Sequence, residues 1–469
     1  MKLPRTIKET QTGLLKKDFS AVHLVDGYLA RIKKYQSLNA FITVADRVAY
    51  EEARKVDELI KNSDGDLLKD KPLLGVVVAH KDLFLTKGIR TTAASKVLES
   101  YIPPYNATVV KRISEAGAII IGKTNCDAWA HGASGENSDF GPTKNPWNEA
   151  FVPGGSSSGS AAAVAADFCL FATGTDTGGS VRLPASFCGV VGFKPTYGVV
   201  SRYGVVAMAS SLDCVGHIAH TVQDAKAIFE IVKGQDGYDS TLTDFEPVQS
   251  KKLKIGIPRE YFTEGVDREV ERAVLAAIGI YKKQGIQVVD ISLPHTKYGV
   301  SAYYVIQPAE VSSNLSRYDA IRYGNDRLAF SNEAKRRIML GTYVLSAGYY
   351  DTYYLKAMKV RSRIIEDFDR VFRRSADGVD AILTPVSPAP AFKLGEKSKN
   401  PLEMYLSDIL TVNANLAGLP GLSVPAGFTK NNLPIGFQII GPKFSENILF
   451  DLGKLYQDEV DWHKKEALA

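Results

Sequence analysis

Two hydrophobic rhythms alternate along this chain. Over residues 7–35 the apolar positions recur at helical spacing, with Leu24, Tyr28, Leu29 and Ile32 on one stripe, which predicts helices. Asn39-Ala-Phe-Ile-Thr-Val predicts a strand, and Ala45 to about Lys61 a charged helix. A polar turn is expected from Asp64 to Lys71. Leu74-Gly-Val-Val-Val-Ala is then apolar without alternation, as in a buried strand, and it ends on His80-Lys81-Asp82. A helix over 107–116 and a strand Ala118-Ile-Ile-Ile-Gly follow. Past residue 220 the pattern predicts helix 222–233, strand Leu253-Lys-Ile-Gly-Ile, helix 267–284 and strand Gln287-Val-Val-Asp-Ile. Residues 301–375 read as mostly helical and tyrosine-rich. Strand Ala381-Ile-Leu-Thr-Pro, helix 402–417, strand 421–426 and a helix near 445–459 close the chain. Strands alternating with helices predict an α/β fold with active groups where strands end. No repeat or disordered linker interrupts the pattern, which favours one domain.

Composition narrows the function classes. The chain has 469 residues, 45% of them hydrophobic, enough for a sizeable core without disulfides or a structural metal. Its net charge of +5, from 57 basic and 52 acidic residues, is a mild excess that reads as solvated surface. It permits contact with RNA, but the concentrated basic patch of a nucleic-acid binder is missing. Cys126, Cys169, Cys188 and Cys214 stand far apart with no CxxC, which excludes the usual zinc spacings and predicts reduced thiols. The first residues, MKLPRTIKETQTGLL, lack a signal-peptide core, and no uncharged apolar run is long enough to span a bilayer. A cytoplasmic protein is expected.

Between residues 150 and 220 the composition shifts to Gly, Ser, Ala and Thr. Pro153-Gly-Gly-Ser-Ser-Ser-Gly-Ser leads into an Ala/Val run. Such small residues let the backbone turn tightly beside another group, and the run predicts a helix whose free N–H groups adjoin the serines. A flexible linker would not enter a buried-looking helix, and the P-loop and GxGxxG patterns are absent. Gly174-Thr-Asp-Thr-Gly-Gly precedes Ser180. Two glycines before a serine let backbone N–H groups of Thr177, Gly178 and Gly179 converge on an oxyanion. Asp176 and Arg182 are placed to brace that turn.

A serine nucleophile needs a base. None of the seven histidines (His23, His80, His131, His217, His220, His295, His463) is an evident partner, and no GxSxG elbow is present. A buried lysine serves if desolvation lowers its pKa from about 10.4 towards neutrality, at about 4 kcal/mol. Lys81, at the end of an apolar strand, is the natural base. Taken singly, Ser180 reads as a turn serine and Lys81 as a strand-end charge; read together, the three segments strengthen Ser180 as nucleophile and Lys81 as its base.

Val-Ala-His-Lys81-Asp, Gly154-Gly155-Ser156 and Asp176-Thr-Gly-Gly-Ser180, with the serines 24 residues apart, resemble the amidase signature family. The resemblance implies one amidase-signature domain over 1–469, with a central mixed β-sheet covered by helices on both faces. N-terminal helices 7–61 would pack on it, and the Gly/Ser-rich catalytic core would lie at about 74–220. It implies Lys81 as base, Ser156 as bridging serine with a cis peptide bond, and Ser180 as the acyl-forming nucleophile. Later segments resemble one branch, the A subunits of aspartyl/glutamyl-tRNA amidotransferases. They include Lys123-Thr-Asn, Phe140-Gly-Pro-Thr-Lys-Asn-Pro-Trp, Gly192-Phe-Lys-Pro-Thr-Tyr-Gly, Pro308-Ala-Glu-Val-Ser-Ser-Asn, Lys335-Arg-Arg-Ile-Met-Leu-Gly-Thr and Pro434-Ile-Gly-Phe-Gln.

That resemblance implies glutamine hydrolysis, with ammonia passed to a partner that amidates Glu-tRNA(Gln), Asp-tRNA(Asn) or both. The expected partners are the B and C subunits of a heterotrimer. ATP and Mg are expected in the partner, and no cofactor or metal in this chain. Glutamine carries a carboxylate and an ammonium. The resemblance gives Arg337 to the carboxylate, Asp408 to the ammonium, and Tyr304 to the pocket wall. Two departures stand out. The stretch from Arg322-Tyr-Gly to Lys335 is shorter than the family's by more than ten residues, and Cys126 and His131 replace its usual side chains near the site entrance. The alternatives are a stand-alone amidase of small amides and an inactive scaffold that only binds tRNA or partner chains.

Overall fold

The computed structural model describes residues 2–62, 66–249, 253–262, 265–320, 325–373, 378–398 and 400–468. Among them, one mixed sheet of eleven strands carries the fold. In chain order the strands are β1 (Phe41–Val44), β2 (Val77–Lys81), β3 (Ile119–Thr124), β4 (Phe171–Asp176), β5 (Val191–Lys194) and β6 (Cys214–Ala219). Then come β7 (Lys254–Pro258), β8 (Gln287–Ile291), β9 (Ala381–Pro385), β10 (Gly421–Phe428) and β11 (Pro434–Ile440). Their order across the sheet is β1-β3-β2-β4-β6-β5-β10-β11-β9-β7-β8. β2 runs parallel to β3 and β4, and β7 parallel to β8 and β9. The pairs through the middle, from β4 to β9, are antiparallel.

Successive strand residues point to opposite faces, and both faces are covered by helices. Val77 and Ala79 of β2 and Ile119 and Ile121 of β3 join a core with helices Ala21–Lys34, Asp46–Asn62 and Ser158–Ala165. Val78 and Ile120 join the opposite core, with helices Thr108–Glu115, Val222–Val232, Arg268–Lys283 and Glu446–Glu459. Burial on both sides is why these strands read as unbroken apolar runs. Val77 and Val78 are at most 1% exposed, so each contributes about 1.5–3 kcal/mol. Lys81 shares the parity of Val77 and Ala79. Its side chain therefore leaves the strand end on the face that carries helix Ser158–Ala165.

The N-terminal helices are Ile7–Lys16 and Ala21–Lys34; Thr6 and Ser20 cap them by accepting from the N–H groups of Glu9 and His23. Of the expected polar turn, Asp64 and Gly65 lie outside the described residues, and Leu67–Asp70 forms one helical turn. Arg322-Tyr-Gly likewise lies outside them. The single helix expected over 402–417 is broken into Pro401–Tyr405, a 3-10 turn Leu406–Asp408 and Val412–Leu416. Side chains from elsewhere take the carbonyls a continuous helix would use: Gln438 Nε2 donates to Leu410 O (2.8 Å) and Arg182 Nη2 to Thr411 O (3.1 Å). No helix among the described residues is long and apolar enough to cross a membrane. The four cysteines are buried and free.

Candidate active site

Two buried lysines end adjacent parallel strands, and their partners differ in kind. Lys123, on β3, has a carboxylate: its Nζ lies 3.3 Å from Asp82 Oδ1 and donates to Phe84 O and Thr91 Oγ1. Lys81, on β2, has only hydroxyls. Its Nζ donates to Ser156 Oγ (2.7 Å), Thr175 Oγ1 (2.8 Å) and Ser157 Oγ (3.0 Å). Burial, countered only in part by more distant groups such as Cys126 and Asp127, lowers Lys81 from 10.5 to about 8. Hydroxyls accept from an ammonium and also serve a neutral amine, so this cage lets Lys81 give up its proton.

The turn that presents Ser156 needs its glycines. A side chain at Gly155 would run into the Asp127 carboxylate and the backbone of Ser134 and Gly135. Gly154 has φ +79°, and a Cβ there would sit 2.9 Å from Pro184 Cα. The Gly155–Ser156 peptide is cis. Asp127 holds the turn from outside: its N–H donates to Ser156 O (3.3 Å), and its carboxylate accepts from the N–H groups of Asn137 (2.9 Å) and Gly135 (3.0 Å). Asp127, Ser157 and Thr175 carry no motif that singles them out in the sequence. All three nonetheless lie at or just beyond strand ends or in the Gly/Ser run, where active groups are expected.

Ser180 begins the turn into helix Arg182–Cys188. It is 8% exposed, whereas Lys81 and Ser156 are at 0%, so it is the most accessible of the three. The brace expected from Asp176 and Arg182 is present and fully buried. Arg182 Nε donates to Asp176 Oδ2 (3.0 Å) and its Nη2 to Asp176 Oδ1 (3.1 Å), while Gln438 and Asn415 accept from its remaining N–H groups. Burial opposes the charge of Asp176, but the guanidinium overrides it and holds the carboxyl well below the usual carboxylate range. One expectation needs correction. The Gly179 N–H donates to Asp176 Oδ1 (2.9 Å) and is committed to the brace rather than to an oxyanion. The N–H groups of Thr177, Gly178 and Ser180 make no hydrogen bond to a described residue.

Arg337, Asp408 and Tyr304 come together beside this turn. Tyr304 Oη donates to Asp408 Oδ2 (3.0 Å), and the Arg337 guanidinium lies 4.6 Å from the Tyr304 ring centre and 4.8 Å from that of Tyr405. Arg337 is 4% exposed and donates to Glu333 Oε1 and Gln307 Oε1, so it is no surface charge. Burial raises Asp408 to about 7. Thr411 Oγ1 donates to Gly178 O (2.6 Å), and the Tyr303 ring packs over Gly178. These contacts join the Arg337–Tyr304–Asp408 cluster to the Ser180 turn. A cavity of about 230 Å³ opens beside Thr175, lined by Leu83, Met208, Asp213 and Arg202 among others.

A family model described as Amidase matches residues 23–450. The chain belongs to the amidase family. Two curated relatives carry the name of the A subunit of glutamyl-tRNA(Gln) amidotransferase. That of Geotalea daltonii is 50% identical over 487 aligned residues, covering 98% of either chain. That of Carboxydothermus hydrogenoformans is 50% identical and covers 97% of either. The crystal structure of the same-named protein from Thermotoga maritima superposes with a TM-score of 0.80 at 43% identity, covering 97% of this chain and 94% of that one. The family resemblance and the fold it implied are thus borne out. Among the described residues of this amidase, no group of three or more His, Cys, Asp or Glu side chains is placed to hold a metal.

Proposed function

We propose that this amidase is the glutaminase subunit of a tRNA-dependent amidotransferase. It hydrolyses glutamine through a Ser180 acyl-enzyme and hands ammonia to a partner that converts Glu-tRNA(Gln), and in some settings Asp-tRNA(Asn), to the amidated form. The observation that carries the reading is the Lys81 Nζ to Ser156 Oγ hydrogen bond of 2.7 Å inside a cage of hydroxyls, with the N–H of the next residue, Ser157, donating to Ser180 O (3.1 Å). The pocket beside it, and the name shared by relatives along nearly the whole chain, direct that chemistry to glutamine.

Neutral Lys81 takes the Ser156 proton as Ser156 takes that of Ser180, and Ser180 Oγ bonds to the glutamine carboxamide carbon. The oxyanion is held by the N–H groups of Thr177, Gly178 and Ser180, none of which donates to a described residue. Ser156 then delivers a proton to the departing nitrogen, ammonia leaves, and the glutamyl ester remains on Ser180. Water attacks that ester, giving up a proton along the same relay, and glutamate is released. Arg337 pairs with the substrate carboxylate and ionised Asp408 with its ammonium, so a glutamine side chain is directed at Ser180. ATP with Mg would serve the partner's activation of the tRNA-borne carboxylate, and this chain would work in the cytoplasm beside B and C subunits.

The test is reconstitution. The full chain with B and C subunits should convert Glu-tRNA(Gln) to Gln-tRNA(Gln) with glutamine as nitrogen donor, and Ser180→Ala should support the reaction only with free ammonia. Glutamine-driven conversion by Ser180→Ala, or hydrolysis of small aliphatic amides in preference to glutamine, would overturn the reading.

A further inference from the structure

The loop between Asp127 and Asn137 wraps the Ser156 turn and carries a side chain the mechanism above leaves idle. His131 is 1% exposed, yet neither Nδ1 nor Nε2 has a hydrogen-bond partner among the described residues. Its own backbone is fixed: its N–H donates to Ala128 O (2.9 Å) and its carbonyl accepts from Asn137 Nδ2 (2.9 Å). Two unpaired polar atoms on one buried ring cost free energy unless something supplies their bonds. Burial, and with it the positive charge of Arg337, keeps the imidazole neutral, with one N–H to donate. Two residues before it, the Trp129 ring packs on Phe330 (centres 5.3 Å apart), at the entry to helix Asn332–Val344, which carries Arg337. A second orphan adjoins the Arg337 guanidinium. Gln307 is fully buried; its Oε1 accepts from Arg337 Nη1 (2.7 Å), while its Nε2 has no partner among the described residues. Gln307, on the guanidinium, and His131, on the loop packed against the entry to its helix, are thus both buried with donors unused.

Such an arrangement suits an anion that arrives with the ligand. A carboxylate offers about four lone-pair sites, more than one arginine fills. We propose that His131 is a specificity-determining residue: its imidazole N–H donates to the α-carboxylate of the bound amino acid, beside Arg337, and Gln307 Nε2 donates to the same group. This deepens the glutamine reading and rests on it. A hydrophobic residue at position 131 would fill the space without the bond, so the histidine sharpens the preference for a free amino acid over an amide lacking the carboxylate. A site built to hydrogen-bond a substrate group rejects the analogue without it, because its own polar atoms are then stranded.

The experiment uses the full-length chain carrying Ser180→Ala, so that ligand is bound and not consumed. Calorimetry compares L-glutamine with 4-aminobutanamide, which keeps the ammonium and the carboxamide but has no carboxylate. His131→Met in that background should weaken glutamine about tenfold and 4-aminobutanamide less than twofold, and His131→Gln should restore part of the glutamine affinity. Equal weakening of both ligands would mean that His131 only packs the pocket, and unchanged glutamine affinity in His131→Met would mean that it contacts no ligand. Either outcome overturns the assignment. Failure of the Ser180→Ala chain itself to bind glutamine would instead bring down the glutamine reading, and this inference with it.

Discussion

Thr175→Val removes one of the three hydroxyls that hold Lys81 and keeps the side-chain volume. A lysine ammonium donates three hydrogen bonds, and the structure supplies three acceptors: Ser156, Ser157 and Thr175. The neutral amine has one donor fewer and loses less when Thr175 goes. A hydrogen bond to a charged group is worth about 1.5–3 kcal/mol and a neutral one about 1 kcal/mol, so the ammonium is disfavoured by about 1 kcal/mol more than the amine. At 1.36 kcal/mol per pH unit, Lys81 should fall from about 8 to about 7. In the proposed relay deprotonated Lys81 is the active form, so the acid limb of reactivity should move down by roughly the same amount. The assay is the rate at which a fluorophosphonate labels Ser180 between about pH 6 and pH 9.5. The maximal rate should fall as well, because the amine loses an anchor. An acid limb that stays in place, or moves to higher pH, would refute the view that the hydroxyl cage sets the basicity of Lys81.

Three further outcomes follow from the same geometry. Lys81→Met should abolish labelling of Ser180 without lowering the melting temperature at pH 7. A lysine depressed from 10.5 to about 8 costs the fold about 3 kcal/mol while both folded and unfolded chains are protonated, a cost relieved as pH rises from 8 towards 10.5; a large fall in melting temperature would contradict this. Glutamine affinity should weaken as pH falls through about 7, where Asp408 takes up its proton and loses the substrate ammonium, and Asp408→Asn should bind weakly with no such dependence; a wild-type affinity constant from about pH 8 to pH 6 would count against Asp408. Arg182→Met strands the buried Asp176 charge and should lower stability by about 3–5 kcal/mol in a denaturant titration while removing Ser180 labelling; a loss under about 1 kcal/mol would show that the brace is not what holds the turn.

The site is more legible in the sequence than the sheet around it. Lys81 is readable because β2 is buried on both faces and announces its end with a charge. The Gly-Gly-Ser segments are readable because their backbone demands exclude side chains, as the Asp127 carboxylate against Gly155 shows. Strands β4, β5 and β6 give no such signal, because runs such as Phe171-Ala-Thr-Gly-Thr-Asp have small residues on both faces and no periodic contrast. The break at Leu406–Asp408 is equally hidden. It comes from Gln438 and Arg182 reaching across the fold to Leu410 and Thr411, which no local window contains. Gly179 misleads for a related reason: the pattern shows a flexible glycine, but only the folded turn shows Asp176 taking its N–H. Arg337 and Asp408 come from resemblance alone, since 71 residues separate them in the chain and only packing against Tyr304 unites them.

The central claim is that glutamine is cleaved through an ester on Ser180. Rapid acid quench of the full chain mixed with glutamine, followed by peptide mass mapping, tests it directly. A glutamyl adduct on the peptide containing Ser180, formed with release of one equivalent of ammonia and absent from Lys81→Met, is the result predicted. An adduct on Ser156 or on a cysteine, or steady turnover in Ser180→Ala, would contradict it.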